Sequence, residues 1–139
     1  MKLKAPKSKH NAVMLIDDCE IENCINGTII KKTGFAENIY KHSGAVSSLE
    51  FLKNLEMLTG SSHKLLPTYI FLDINMPALD GFQFLDEFNN LSTSLKEEVK
   101  IVMLSSSANP IDIKKASSYK QVVKFIQKPL TKEALNNLD

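Results

Sequence analysis

Five polar side chains lie at or just beyond the ends of short, mainly apolar runs in this sequence, where buried strands would end. They are Asp17 and Asp18, then Asp73, Ser105 and Lys128. In open parallel sheets, ligands bind at the carboxyl ends of the strands, so these side chains are expected to meet at one edge. Three carboxylates packed together repel one another unless a cation neutralises them. The pattern therefore predicts a cation-dependent site.

Three carboxylates with a hydroxyl and an ammonium suit the handling of a phosphoryl group. Mg²⁺ prefers oxygen ligands and commonly uses one or two carboxylates together with phosphate oxygens. A carboxylate beside bound Mg²⁺ can act as a nucleophile toward phosphorus and form an acyl phosphate. Phosphoryl transfer mainly needs charge neutralisation and positioning. Mg²⁺ would take one phosphoryl oxygen, the Lys128 ammonium a second, and the Ser105 hydroxyl a third.

The apolar runs that precede these residues predict the sheet that positions them. They lie at 12–16, 69–72, 101–104 and 122–126. Unalternated runs bounded by polar residues are typical of parallel strands buried on both faces. A fifth strand is needed between the first two helices, and the weak signal at 38–41 suits an edge strand. Five β-α repeats predict an α/β fold, with right-handed crossovers and helices on both faces.

Helical spacing connects the strands. The apolar stripes are Ile21, Cys24, Ile25 and Ile29; Leu49, Leu52 and Leu55; and Phe82, Leu85 and Phe88. Asp80, Asn109 and Thr131 are predicted to stand at the starts of the last three helices. The polar connections at 59–67 and 89–95 are predicted as surface loops or frayed helix ends.

Composition limits the function classes. The chain has 139 residues and a formal net charge of +1, which predicts one globular domain and gives no support to nucleic-acid binding. No apolar run approaches the ~20 residues of a membrane-spanning helix. Cys19 and Cys24 are predicted as free thiols, with Cys24 on a buried helix face. Without a secretion signal, the protein is expected in the cytoplasm, with a flexible basic tail at 1–10 before a domain at 11–139.

The ordered motifs resemble the receiver domains of two-component response regulators. The matching elements are the Asp17-Asp18 pair, the D-x-x-M-P string at 73–77, Asp80-Gly81, Ser105 and Lys128-Pro129. Each motif alone is weak, but five in the same order along the chain, four of them just after predicted strands, are a strong signal. The resemblance covers about 11–138 and implies a flavodoxin-like (βα)5 fold, a doubly wound five-stranded parallel sheet with strand order 2-1-3-4-5.

The resemblance also implies a role for each carboxylate. Asp73 would be the phosphorylated residue. Asp18 would be a ligand of Mg²⁺, and Asp17 would act on the metal mainly through water. The backbone carbonyl of Asn75 would complete the protein's contribution to the metal site.

Three residues would serve the phosphoryl group and the response to it. Ser105, in place of the commoner Thr, and Lys128 would hold the phosphoryl oxygens. Phe125 occupies the aromatic switch position, where it lacks the phenol of a Tyr. The Lys128-Pro129 bond is typically cis in such domains, and the cis form costs only ~0.5–1 kcal/mol before proline.

The expected function is a stand-alone response regulator receiver. It would take a phosphoryl group from a histidine kinase or a histidine phosphotransfer protein onto Asp73. Because the chain ends just after the last helix, the signal is expected to leave by contact of the 109–138 face with a downstream protein. It would promote only its own phosphorylation and dephosphorylation, and so is not expected to be an enzyme.

Two alternatives belong to other functional classes. A small phosphatase with an aspartyl nucleophile needs a second acid two residues after the nucleophile, where this chain has Asn75, and the chain has no cap domain. A degenerate receiver would bind a partner without phosphorylation, but the complete set of site residues argues against it. A beryllofluoride titration would discriminate this last alternative from the phosphorylated switch.

Overall fold

Five strands and six helices make up the part of the chain that the computed structural model describes, residues 8–59 and 65–139. The strands are β1 His10–Ile16, β2 Ala36–His42, β3 Tyr69–Asp73, β4 Lys100–Ser105 and β5 Val122–Gln127. The helices are α1 Glu20–Lys32, α2 Ala45–Thr59, α3 Gly81–Phe88, α4 Thr93–Glu98, α5 Pro110–Ser117 and α6 Lys132–Asn136. The expected tail at 1–10 lies mostly outside the described residues. No helix in the described ranges is long and apolar enough to cross a membrane.

The sheet is entirely parallel, in the order β2-β1-β3-β4-β5. This confirms the predicted doubly wound fold and its strand order, including β2 as an edge strand. From β1 the chain first adds β2 on one side, and then adds β3, β4 and β5 on the other side. The switch point therefore lies between β1 and β3, which pair with Ile16 opposite Leu72. The residues that follow these two strand ends therefore lie side by side at the switch point, where such sheets bind ligands.

Alternating side chains of the central strands pack into two separate hydrophobic core layers, one on each face of the sheet. On one face, Met14 and Ile70 pack with residues of α2 and α3. On the other face, Val13 and Phe71 pack with residues of α1 and α6. Since all five residues of β3 are buried, this strand anchors both layers and fixes the position of Asp73 at its end.

Helix α1 presents a different face to the sheet from the one predicted. Cys24 is exposed, and Ile21 and Ile25 are 70% and 52% exposed. The buried residues of the helix are Asn23, Asn26, Gly27 and Ile30. The Asn23 side chain donates hydrogen bonds to backbone carbonyls at the ends of β1 and β2, and this polar anchoring sets the rotation of the helix. The prediction that Cys24 is buried was wrong.

The predicted helix starts are confirmed, and one helix was missed. Asp80 forms a reciprocal capping box with Gln83, and Asn109 and Thr131 also cap their helices. The connection at 89–95, predicted as a surface loop or frayed helix end, instead contains the start of α4, which the fully buried Leu95 anchors. Of the connection at 59–67, residues 60–64 lie outside the described part of the chain.

Candidate functional site

The carboxylates of Asp17, Asp18 and Asp73 meet at the carboxyl edge of the sheet. Their ligand oxygens all lie within 4.8 Å of one another. Asp17 and Asp73 are buried, at 3% and 5% exposure, whereas Asp18 faces solvent. The strand ends thus assemble the three carboxylates as the sequence pattern indicated, with one of them open to an incoming group.

Lys128 supplies the positive charge of this cluster. Its ammonium lies 3.0 Å from Asp17 Oδ2, 3.0 Å from Asp73 Oδ1 and 2.6 Å from Glu22 Oε2. Its backbone N–H donates to the Ser105 carbonyl at 2.7 Å, and the Lys128-Pro129 bond is cis. The side chain is only 14% exposed, so water does little to screen the charge–charge interactions.

Burial and the neighbouring charges shift the pKa values of the clustered carboxylates and of Lys128 in opposite directions. Burial raises the pKa of Asp17 to about 6, although the Cys19 N–H and Lys128 oppose that rise. Burial also raises the pKa of Asp73, against the pull of Lys128. The pKa of Lys128 would fall through burial, but its carboxylate partners outweigh this and raise it. Lys128 lowers the pKa of Glu22.

These groups fit a divalent cation. Among the described residues, four carboxylates lie around the Lys128 ammonium, so this cluster carries excess negative charge even with Lys128 in place. The donors are all oxygen atoms, which Mg²⁺ prefers. Burial of Asp17 disfavours its charged form and raises its pKa, and a bound cation would favour that charged form again.

Ser105 lies at the end of β4, beside the end of β3, where Asp73 pairs with Leu104. It is fully buried, and its Oγ accepts a hydrogen bond from the Ser107 N–H at 3.2 Å. Ser105 is therefore a structured strand-end residue rather than part of a solvated serine loop. Asn75, two residues beyond β3, is exposed.

Phe125 is half-buried on β5, where it packs against the core layer of α2 and α3. It lines a cleft of about 260 Å³ between α5 and β5, together with Ile113, Ala116, Ser117, Val122, Val123 and Lys124. Its ring thus lies between the core and an open surface.

Gly81 allows α3 to approach the end of β3. A Cβ at this position would lie 2.7 Å from the Asp73 carbonyl oxygen and 2.9 Å from the Ile74 Cα. Both neighbours are backbone atoms, so no side-chain rotation can make room. The Gly81 N–H donates to the Ile74 carbonyl at 2.8 Å, which closes the loop that follows Asp73.

Glu22 is a member of the site that was not predicted from the sequence. Glu22 lies in the first turn of α1 and reaches Lys128 because that helix is rotated from its predicted orientation. The run of acids at positions 17, 18, 20 and 22 was a signal for it. Gly81 was identified only as part of the Asp80-Gly81 motif, and its close approach to the Asp73 backbone was not predicted.

Known proteins resemble this chain over almost its whole length. A family model described as response regulator receiver domain matches residues 13–138. The structure of a two component response regulator from Cytophaga hutchinsonii is 36% identical, with a TM-score of 0.84 over 94% of each chain. A response regulator receiver protein from Dyadobacter fermentans is 20% identical, with a TM-score of 0.78 over 91% of this chain and 93% of that chain.

A third structure is the receiver domain of the histidine kinase CKI1 from Arabidopsis thaliana, solved with Mg²⁺ and BeF3-. It is 22% identical, with a TM-score of 0.78 over 92% of this chain and 87% of that chain. At this identity the likeness shows the shared fold. A comparison with curated proteins finds no match.

Proposed function

The chain belongs to the response regulator receiver domain family, and from this premise we propose that it accepts a phosphoryl group on Asp73 in a magnesium-dependent reaction. The observation that carries the proposal is the Lys128 ammonium, held 3.0 Å from both Asp73 and Asp17 beside the exposed Asp18. This arrangement places a nucleophilic carboxylate, a fixed cation and further oxygen ligands within one small volume.

In the proposed reaction, a carboxylate oxygen of Asp73 attacks the phosphorus of a phosphohistidine. The new oxygen–phosphorus bond forms as the phosphorus–nitrogen bond breaks, and the leaving imidazole keeps the electron pair. Asp17, Asp18, Asp73 and the Asn75 carbonyl would hold Mg²⁺, which would neutralise charge on the phosphoryl oxygens when bound. The phosphoryl donor would be a histidine kinase or a histidine phosphotransfer protein.

Lys128 and Ser105 would receive the transferred group. Lys128 would exchange part of its contact with the carboxylates for a phosphoryl oxygen, a charge-assisted hydrogen bond that favours the product. Ser105 would donate its hydroxyl proton to another phosphoryl oxygen. The Lys128 N–H bond to the Ser105 carbonyl supports this joint role because it holds the two residues together.

We propose that the surface at 109–138 passes the signal to a downstream protein. Phe125 would couple the site to this surface, since it lies on the strand that leads to Lys128 and lines the cleft beside α5. The exposed Ile111 and Val123, 74% and 49% exposed, supply apolar contact area near that cleft.

The test is the intact mass of the protein after incubation with a small acyl-phosphate donor and Mg²⁺. We expect one added phosphoryl group, and none when EDTA is present. If no adduct forms in the folded protein, beryllofluoride binding separates two explanations. Saturable binding indicates a phosphorylated form too short-lived to trap, whereas no binding indicates a module that acts without phosphorylation.

A further inference from the structure

Asn23 is a buried amide beside the site that the reaction described above does not use. It lies in the first two turns of α1 and is 6% exposed. Its Nδ2 donates to the Asp17 carbonyl at 3.0 Å and to the His42 carbonyl at 3.2 Å. A carboxamide nitrogen carries two hydrogens, so both of its donors are used. Two carbonyl acceptors also fix the orientation of the amide, because the flipped form would face oxygen with oxygen.

The other end of the same amide is unsatisfied. Asn23 Oδ1 is buried and has no hydrogen-bond partner within the described ranges 8–59 and 65–139. Burying an oxygen without a hydrogen-bond partner lowers the stability of the folded state. A leucine, which has a similar shape, would bury no unpaired oxygen and would add apolar contact. Packing therefore does not explain why this residue is an asparagine. The two hydrogen bonds that its Nδ2 donates explain it.

The two hydrogen bonds from Asn23 connect helix α1 to the residue that follows β1 and to the last residue of β2. The Asp17 N–H donates to the His42 carbonyl at 3.1 Å, and Asn23 binds the carbonyls of these same two residues. His42 ends β2, an edge strand with a neighbour on one side alone, so the sheet holds that end weakly. Asn23 clamps it to the start of the loop that carries Asp17 and Asp18.

We propose that Asn23 is a positioning residue that fixes the backbone of Asp17 and thereby sets the affinity of the carboxylate cluster for Mg²⁺. The inference rests on the proposed function for its metal, but the clamp itself can be measured without any metal. Outer groups that orient metal ligands typically change affinity 10–100-fold when they are removed.

The test compares the Asn23→Leu protein with the native protein by two measurements. In EDTA, amide hydrogen exchange followed by NMR should show exchange of the Asp17 N–H accelerated about tenfold beyond any change shared by the sheet. By calorimetric titration, the Mg²⁺ dissociation constant should rise about tenfold. Asn23→Ala provides the same test should the leucine variant fail to fold.

The matched control is Ser48→Ala, which removes a fully buried hydroxyl that donates to the Gly44 carbonyl just before α2 and to the Ala45 carbonyl in its first turn. It should leave both quantities unchanged. Exchange that rises equally at all sheet amides, or a dissociation constant within twofold of native, would overturn the proposal. If the native protein itself binds no Mg²⁺, the proposed function fails. The hydrogen exchange of the Asp17 amide in the native and variant proteins then still tests whether Asn23 fixes the Asp17 backbone.

Discussion

We expect the free energy of unfolding of the metal-free Asp17→Asn protein, relative to that of the native protein, to rise as the pH increases from 4 to 8. Burial raises the pKa of Asp17 from 3.8 to about 6, so the folded state holds this proton more tightly than the unfolded state does. The stability from that proton is fully present below pH 3.8 and is lost as the pH rises through about 6. The asparagine variant has no such proton to lose.

The magnitude follows from the two pKa values. A pKa difference of about 2 units corresponds to about 3 kcal/mol over the whole titration, and about 2 kcal/mol of it falls between pH 4 and pH 8. The free energy of unfolding of Asp17→Asn, relative to native, should therefore rise by about 2 kcal/mol across that range. Since the chain has no tryptophan, urea unfolding is best followed by far-UV circular dichroism, in EDTA.

The matched control is Asp18→Asn, which removes the adjacent but exposed carboxylate. The stability of this variant relative to the native protein should change less over the same pH range than that of Asp17→Asn, because the Asp18 side chain is exposed to solvent. A stability difference for Asp17→Asn that stays constant with pH, or moves in favour of the native protein, would refute the argument from burial.

Three further outcomes follow from the site. Lys128→Met removes the ammonium from the buried carboxylates, and phosphorylation by an acyl phosphate should slow about 10²–10³-fold; an unchanged rate in a mass time course would contradict its role. Mg²⁺ at ten times its dissociation constant should raise the free energy of unfolding by about 1.4 kcal/mol, and Asp18→Asn should lose that gain. Gly81→Ala should cost about 1–3 kcal/mol in urea unfolding because its Cβ would meet the Asp73 carbonyl at 2.7 Å. Gly44→Ala, with no atom within 4 Å of the added Cβ, is the control that should cost less.

The sheet could be predicted from sequence because its central strands are buried on both faces. Such strands give continuous apolar runs, and β1 and β3 were located within a few residues. The strand ends then indicated where Asp17, Asp73 and Lys128 would meet. The order of alternating strands and helices, together with the rule that ligands bind at the carboxyl ends of parallel strands, was sufficient to predict this part of the site.

The orientation of α1 could not be predicted, because periodicity counts apolar residues and this helix is held by a polar one. The amide of Asn23 bonds to carbonyls that come together only after the strands pair. The same rotation exposes Ile25 and turns Glu22 toward Lys128. One tertiary interaction thus accounts both for the wrong helix face and for the missed member of the site.

Among the three clustered carboxylates, we expect Asp73 to receive the phosphoryl group. The most direct test traps the acyl phosphate by borohydride reduction, which converts a phosphorylated aspartate to homoserine, and locates that residue by peptide mass spectrometry. We expect homoserine at position 73 alone, and no adduct in the Asp73→Asn protein. Homoserine at position 17 or 18 in the native protein would contradict it.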